Sequence, residues 1–183
     1  VQASTINSHP DAEVVAVQDI NEGRLKEFAR KFGVERTYLE AKDLCADPDV
    51  DAVYVAVPNK FHASYAISAL EGGKHVLLEK PFAMNAGEAA TVVETAKKCG
   101  RVLTLGMNMR FTPPALRLRQ RIAAGDLGEI YHAKAFWFRR RGIPRFNTWF
   151  VKKEMSGGGA IADIGVHLLD QALFLIDNFE PVT

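Results

Sequence analysis

The sequence predicts an α/β protein: a doubly wound parallel sheet followed by the start of a second α/β region. Three observations carry that expectation. Short β-branched runs alternate with longer stretches of helical period from Glu13 to Ala124, the pattern of strands covered on both faces by crossover helices. Glycines stand where those helices should stop, at Gly33, Gly72-Gly73, Gly100 and Gly125, positions that favour the left-handed backbone of a helix end. Beyond Gly128 the pattern changes to one long, partly alternating segment and one strongly apolar helix. A boundary therefore falls between Gly106 and Leu127.

The elements follow in order. Val1 to Ser8 reads as the last turns of a helix. Glu13 to Asp19 (EVVAVQD) is the first strand, and Asn21 then caps a helix that runs to Phe32. Asp51 to Val57 (DAVYVAV) is a strand of the fully buried type, and Phe61 to Leu70 is helical. His75 to Leu78 is the next strand, Ala86 to Cys99 its helix, Val102 to Gly106 a further strand and Pro113 to Ala124 a further helix. Glu129 to Arg139 (EIYHAKAFWFR) alternates and reads as an antiparallel strand with one covered face. Gly159 to Ile176 is a single apolar helix. We expect residues 1–115 to form a dinucleotide-binding domain and residues 116–183 to begin a substrate-binding and oligomerisation domain. A sheet that binds a dinucleotide opens with a strand and a glycine-rich turn. Neither precedes Glu13, so the expectation is a chain incomplete at both ends, and inactive if the polypeptide truly stops there.

Composition narrows the function classes. The 183 residues are 48% hydrophobic and 25% charged with a net charge of +1, values of a packed domain rather than a disordered segment or a general polyanion binder. The longest unbroken apolar run, Ala52 to Val57, falls short of the roughly 18 residues of a membrane helix. No basic-then-apolar leader follows Val1. Cys45 and Cys99 lack Cys-x-x-Cys spacing and read as reduced thiols of a cytoplasmic protein. Between Arg117 and Lys153 ten basic residues face two acids, with Phe136, Trp137 and Phe138 beside Arg139 to Arg141. Such interleaving can bind single-stranded nucleic acid, but an oligomer-forming sheet face with an arginine rim is the preferred reading. Neither a nucleic-acid nor a membrane partner is expected.

Several residues sit where an open α/β sheet does chemistry, at the carboxyl tips of its strands. Asp19 ends the first strand, where an acid accepts from the adenosine ribose hydroxyls of a dinucleotide and its charge favours NAD over NADP. The competing reading is an Asp that only opens the next helix. Pro58 and Asn59 follow the second buried strand, with His62 in the following helical turn. Glu79-Lys80-Pro81 follows the third, and a cation at that tip can lower the pKa of a reacting hydroxyl by stabilising alkoxide charge. Asp163 and His167 are four apart, so on a helix they share a face, and Asp170 lies near that stripe. A carboxylate can orient imidazole for acid/base work, while a helix pair satisfied in a polar pocket is an equal alternative. One His with two acids is a poor metal set, and no metal is expected.

Taken together, AVQDIN, VPNKFH, HVLLEKP, GMNMRF and SGGGAIADIGVHLLD resemble the Gfo/Idh/MocA family of NAD(P)-dependent oxidoreductases over almost the whole chain. The resemblance implies a Rossmann domain followed by an α/β domain with a large, mainly antiparallel open sheet used for homodimer or homotetramer contacts. It implies catalytic roles for Lys80 and His167, with Asp163 as partner of His167 or ligand of a substrate hydroxyl. Asp19, Pro58, Asn59, His62, Glu79, Lys80 and Asn108 would lie along the NAD site, and Arg110 near the substrate. The implied activity is hydride transfer between NAD and a secondary alcohol of a sugar, cyclitol or sugar derivative. A family member that uses transient oxidation to cleave glycosides, and a non-catalytic dinucleotide-binding protein, are the alternatives.

Overall fold

The computed structural model describes residues 2–138, 140 and 147–177. Its elements run α1 (Gln2–Asn7), β1 (Ala16–Gln18), α2 (Glu22–Phe32), β2 (Arg36–Tyr38), α3 (Ala41–Ala46), β3 (Ala52–Val55), α4 (His62–Glu71), β4 (His75–Leu78), α5 (Ala86–Cys99), β5 (Leu103–Leu105), α6 (Pro113–Ala123), α7 (Lys153–Ser156) and α8 (Val166–Ile176). Two units share them. One comprises Val1–Val55, Ala63–Leu78 and Gly87–Thr104, the other Ala56–His62, Glu79–Ala86 and Leu105–Thr183.

In the first unit, local chemistry sets the helix ends. The Asn21 side chain accepts the Arg24 N–H at 3.0 Å, an N-cap that satisfies one of the donors left open by the first turn. Gly33, at φ 69°, closes α2 with its N–H on Ala29 O. β1 pairs parallel with β2, with Val17 opposite Thr37. β3 pairs parallel with β4, with Val53 opposite Val76, and β5 lies on the far side of β4. Parallel pairing needs a crossover between strands, which α2 and α4 supply. Ala66, Ala69, Leu70, Leu78 and Val92 are fully buried; the alanines at i and i+3 let α4 approach its neighbours closely.

β2 and α3 lie outside the sequence expectation, and a buried polar node explains both. Asp47, 6% exposed, accepts from Arg36 Nη1 at 3.0 Å, the Tyr38 hydroxyl at 2.9 Å and its near neighbour Asp49 N–H at 3.0 Å. Lys74 Nζ donates to the Asp47 carbonyl at 2.6 Å. Polar satisfaction rather than an apolar period fixes this corner.

In the second unit, 3₁₀ turns cover Asn59–Phe61, Asn108–Phe111 and Trp149–Val151, and α6 packs on α8. Two expectations are corrected here. The segment 129–138 forms no strand and pairs with no strand among the described residues, and Tyr131 and Phe138 are 93% and 87% exposed. Arg139, the end of that expected strand, lies outside the described residues, as do Arg141, Arg145 and Phe146. The expected helix Gly159 to Ile176 is also not uniform: a π-helical turn, Ile161–Gly165, precedes α8. The helical stretch Lys153–Ile176, 24 residues in all, is long and apolar enough to cross a membrane by length and composition. It contains no long unbroken apolar run, since Asp163, His167 and Asp170 interrupt it.

Candidate active site

The second unit gathers most of the singled-out residues. β4 ends at Leu78, and the chain leaves it through Glu79 and Lys80. Lys80 Nζ donates to two oxygens of one residue, the Asp163 carbonyl at 2.7 Å and its carboxylate Oδ1 at 2.9 Å. The two side chains are 17% and 27% exposed, so the pair is shielded without being sealed. Asp163 sits inside the π-helical turn, where the local shift from i→i+4 to i→i+5 bonding disturbs the carbonyl ladder. An ammonium with three donors suits such a carbonyl–carboxylate pair, and its third N–H meets no acceptor among the described residues. The carboxylate that sequence spacing aims at His167 is thus engaged by Lys80.

His167 opens α8 at its second residue. Its Nδ1 is buried and has no hydrogen-bond partner among the described residues. Burial, and then the positive charge of Lys80, push the imidazole below its usual pKa, while Asp163, Glu79 and Asp170 pull weakly the other way. The neutral ring is therefore the resting form near neutrality, and a neutral imidazole keeps one nitrogen free to accept a proton.

Arg110, expected near a substrate, is committed within the protein. Its guanidinium forms a two-pronged ion pair with Asp170, Nε on Oδ2 at 2.8 Å and Nη2 on Oδ1. The Asp170 side chain is only 10% exposed. Phe174, one turn on, carries Arg119 at 4.2 Å and Arg110 at 5.4 Å from its ring centroid, within the range of cation–π attraction. Arg119 also donates to the Phe174 carbonyl and, at 2.8 Å, to Asp177. Sequence reading did not find this network; its members lie 55–60 residues apart, and no local spacing announces such a pairing.

The remaining expected residues divide. Asn59 is 5% exposed, and its amide donates to the Ser156 carbonyl at 2.8 Å. That bond ties the turn after β3 to the end of α7. There Gly157 adopts φ 78°, and a Cβ would come within 2.9 Å of Met84 Sδ. His62 is 1% exposed with both ring nitrogens against carbonyl oxygens, Nδ1 to Pro81 at 2.6 Å and Nε2 to Val57 at 2.9 Å. No ring nitrogen is left for a ligand, unlike the crevice role the resemblance implies. Pro58 and Glu79 are half-buried, and Asn108 is exposed at the start of its 3₁₀ turn. Among the described residues no cluster of three or more His, Cys, Asp or Glu could hold a metal.

In the first unit, Asp19 directly follows β1. Its Oδ1 accepts the Asn21 N–H at 2.7 Å, which fixes the carboxylate while Oδ2 takes no hydrogen bond among the described residues. An acceptor-only group held this way is matched to a vicinal diol and mismatched to a phosphate.

Comparison with known proteins places these features in context. Residues 1–107 match the profile described as "Oxidoreductase family, NAD-binding Rossmann fold", and residues 115–183 match the "GFO/IDH/MocA C-terminal domain". The chain is 37% identical over 176 residues to the D-glucoside 3-dehydrogenase of Escherichia coli K12, covering 96% of this chain and 50% of that one. It is 32% identical to the scyllo-inositol 2-dehydrogenase (NAD(+)) of Bacillus subtilis, covering 93% and 48%. Among solved structures, levoglucosan dehydrogenase in complex with NADH and levoglucosan superposes with a TM-score of 0.79 at 29% identity, covering 91% of this chain and 46% of that one. The chain spans about half the length of the curated relatives it matches.

Proposed function

The chain belongs to the Gfo/Idh/MocA family of oxidoreductases, with an NAD-binding Rossmann fold, and from that premise we propose that it oxidises a secondary alcohol of a sugar, cyclitol or sugar derivative. One observation carries the reading. Lys80 is held by two oxygens of Asp163, and burial, followed by the Lys80 charge, keeps His167 in the form that accepts a proton.

The residues divide the work as follows. Neutral His167 takes the hydroxyl proton of the substrate. Lys80 stabilises the negative charge that develops on the same oxygen, using the N–H that Asp163 leaves open. Asp163 positions the ammonium, and its own charge keeps Lys80 from driving the imidazole still lower. Asp170 and Arg110 hold the α8 end of the site through their two-pronged pair. NAD, when bound, supplies the hydride acceptor. Asp19 would hold its adenosine ribose, with the geometry of Oδ2 and the negative charge favouring NAD over NADP. Pro58, Glu79 and Asn108 would line the rest of that site.

The wider reading keeps the division at residue 115 between dinucleotide-binding and substrate domains. The free thiols Cys45 and Cys99 support a reducing, cytoplasmic setting. The exposed aromatics Tyr131, Phe136 and Phe138 support assembly into a homodimer or homotetramer.

The test is a screen of sugars and cyclitols with NAD, followed by absorbance of the reduced cofactor, for the wild type and Lys80→Met. Oxidation of at least one compound is expected, with kcat reduced about 10²–10⁴-fold in the variant, the range for a positioned electrostatic or acid–base group. NADH affinity, read by fluorescence titration, should stay near wild type. Half the wild-type rate in Lys80→Met would sink the role given to Lys80. Sugar release without accumulation of reduced cofactor would move the protein to the glycoside-cleaving class.

A further inference from the structure

We infer that His62 is the positioning residue for Lys80, acting through the main chain of Pro81; the inference rests on the catalytic role proposed above for Lys80. His62 is among the largest fully buried side chains of the molecule, with 1% of its surface exposed. It therefore touches neither substrate nor solvent. Its ring spans two loops: Nε2 lies 2.9 Å from the Val57 carbonyl, in the turn after β3, and Nδ1 lies 2.6 Å from the Pro81 carbonyl, one residue beyond Lys80. A carbonyl oxygen only accepts and a neutral imidazole carries one N–H, so one of the two contacts is a ring N–H bond, which we assign to Pro81. The Pro81 contact is the shorter.

Lys80 needs such an anchor. Its ammonium must reach two fixed oxygens of Asp163, at 2.7 and 2.9 Å, from the end of a long flexible stem. Asp163 fixes the far end of that stem. The near end is the backbone of residues 79–81, and among the described residues His62 is the side chain that grips the Pro81 carbonyl. Asn59 and Gly157 brace the same region, through the Ser156 carbonyl and the close approach of Met84. The turn after β3 is thereby stitched to residues 81–84 and to the glycine turn, and Lys80 is held at both ends.

The two ring contacts can be tested separately, because the amide nitrogen of Asn stands near the position of Nδ1 and that of Gln near Nε2. His62→Asn keeps a donor for Pro81; His62→Gln keeps one for Val57 only; His62→Ala keeps neither. Lys80 placement is read without catalysis, from its rate of reductive methylation in the intact protein, quantified by peptide mass spectrometry, with exposed Lys26 as the internal control. Labelling of Lys80 should stay near wild type in His62→Asn and rise several-fold in His62→Gln and His62→Ala, while Lys26 is unchanged. In turnover, His62→Gln should lose about 10²-fold in kcat, as a misplaced catalytic group does, with KM for the cofactor little altered, and His62→Asn should recover most of the rate. Equal Lys80 labelling in the Asn and Gln variants overturns the inference, and that pair decides it even if His62→Ala does not fold. A wild type that oxidises no polyol defeats the catalytic reading alone, since the labelling order stands or falls by itself.

Discussion

Each of the two units is stabilised by different physics. In the first, Ala66, Ala69, Leu70, Leu78 and Val92 are fully buried, and removal of apolar surface from water is the main stabilising term. In the second, α8 contributes no fully buried residue although its sequence is almost wholly apolar, and Ile161 and Leu169 are 84% and 60% exposed. What fixes α8 is a series of polar links: Lys80 to Asp163, Arg110 to Asp170, and Arg119 to Asp177. Lys80, given a catalytic role, and Asp163, which positions it, belong to that polar series. A region that must present charge to a ligand is fixed by directional bonds, because directional bonds set where the charge points.

The largest expected effect breaks the apolar side of the contrast. Leu70→Ala removes a fully buried side chain and should cost about 2–5 kcal/mol of unfolding free energy, the transfer and cavity terms together. Urea denaturation followed by circular dichroism measures it. A loss below about 1 kcal/mol would mean that the first unit tolerates a cavity and that its core is not what holds it.

The next tests the polar side. Arg110→Met leaves Asp170, 10% exposed, without its two-pronged partner and should cost about 1–3 kcal/mol, the penalty of an unsatisfied, mostly buried charge. Arg110→Met combined with Asp170→Leu should recover most of that stability, since a desolvated pair is often replaceable by apolar groups of similar volume. A double-mutant cycle separates the cases. If the double variant is no better than Arg110→Met, packing of the arginine stem on Phe174 matters more than its charge.

A smaller effect links the two charges at the site. The proposed oxidation uses neutral His167, so kcat/KM should fall as pH drops through its pKa, which lies below the usual 6.5 because of burial first and Lys80 second. In Lys80→Met the cationic push is gone, and the acid limb of the residual activity should move upward. Stability follows the same sign. The unfolded chain takes up the proton at the ordinary value while the folded ring does not, so the contribution of His167 is intact above pH 6.5 and is lost as pH falls toward the folded value. An acid limb unmoved by Lys80→Met would show that the two side chains do not sense each other.

The same division decides what could be read in advance. The first unit's strands and helices were legible from apolar period and from Asn21 and Gly33, which act over a few residues. β2 and α3 were not, because Asp47 holds them by polar bonds to Arg36 and Tyr38 rather than by an apolar pattern. At the candidate site, Lys80, Asp163 and His167 stood out as residue types at strand and helix ends. Their pairing was not: spacing suggested that Asp163 serves His167, whereas the π-helical turn and a partner 83 residues away give it to Lys80. His62 read as a crevice residue because its place in the first helical turn carries no sign of how deeply it is buried. The segment 129–138 read as a strand because alternation reports a face and not a partner.

The smallest expected effect is the sharpest probe of the contrast. Leu169 is 60% exposed on α8, so Leu169→Gln should change stability by no more than about 0.5 kcal/mol, the range of surface substitutions. It is next to Asp170 and two residues from His167 in the sequence, yet takes no part in their bonds, so kcat should hold as well. Thermal unfolding at two protein concentrations is the measurement. If the cost instead reaches the range expected for Leu70→Ala and depends on concentration, the apolar face of α8 is buried between copies in solution. The second unit would then have an apolar core after all, one completed only by association, and its polar links would serve to aim the chemistry rather than to hold the helix.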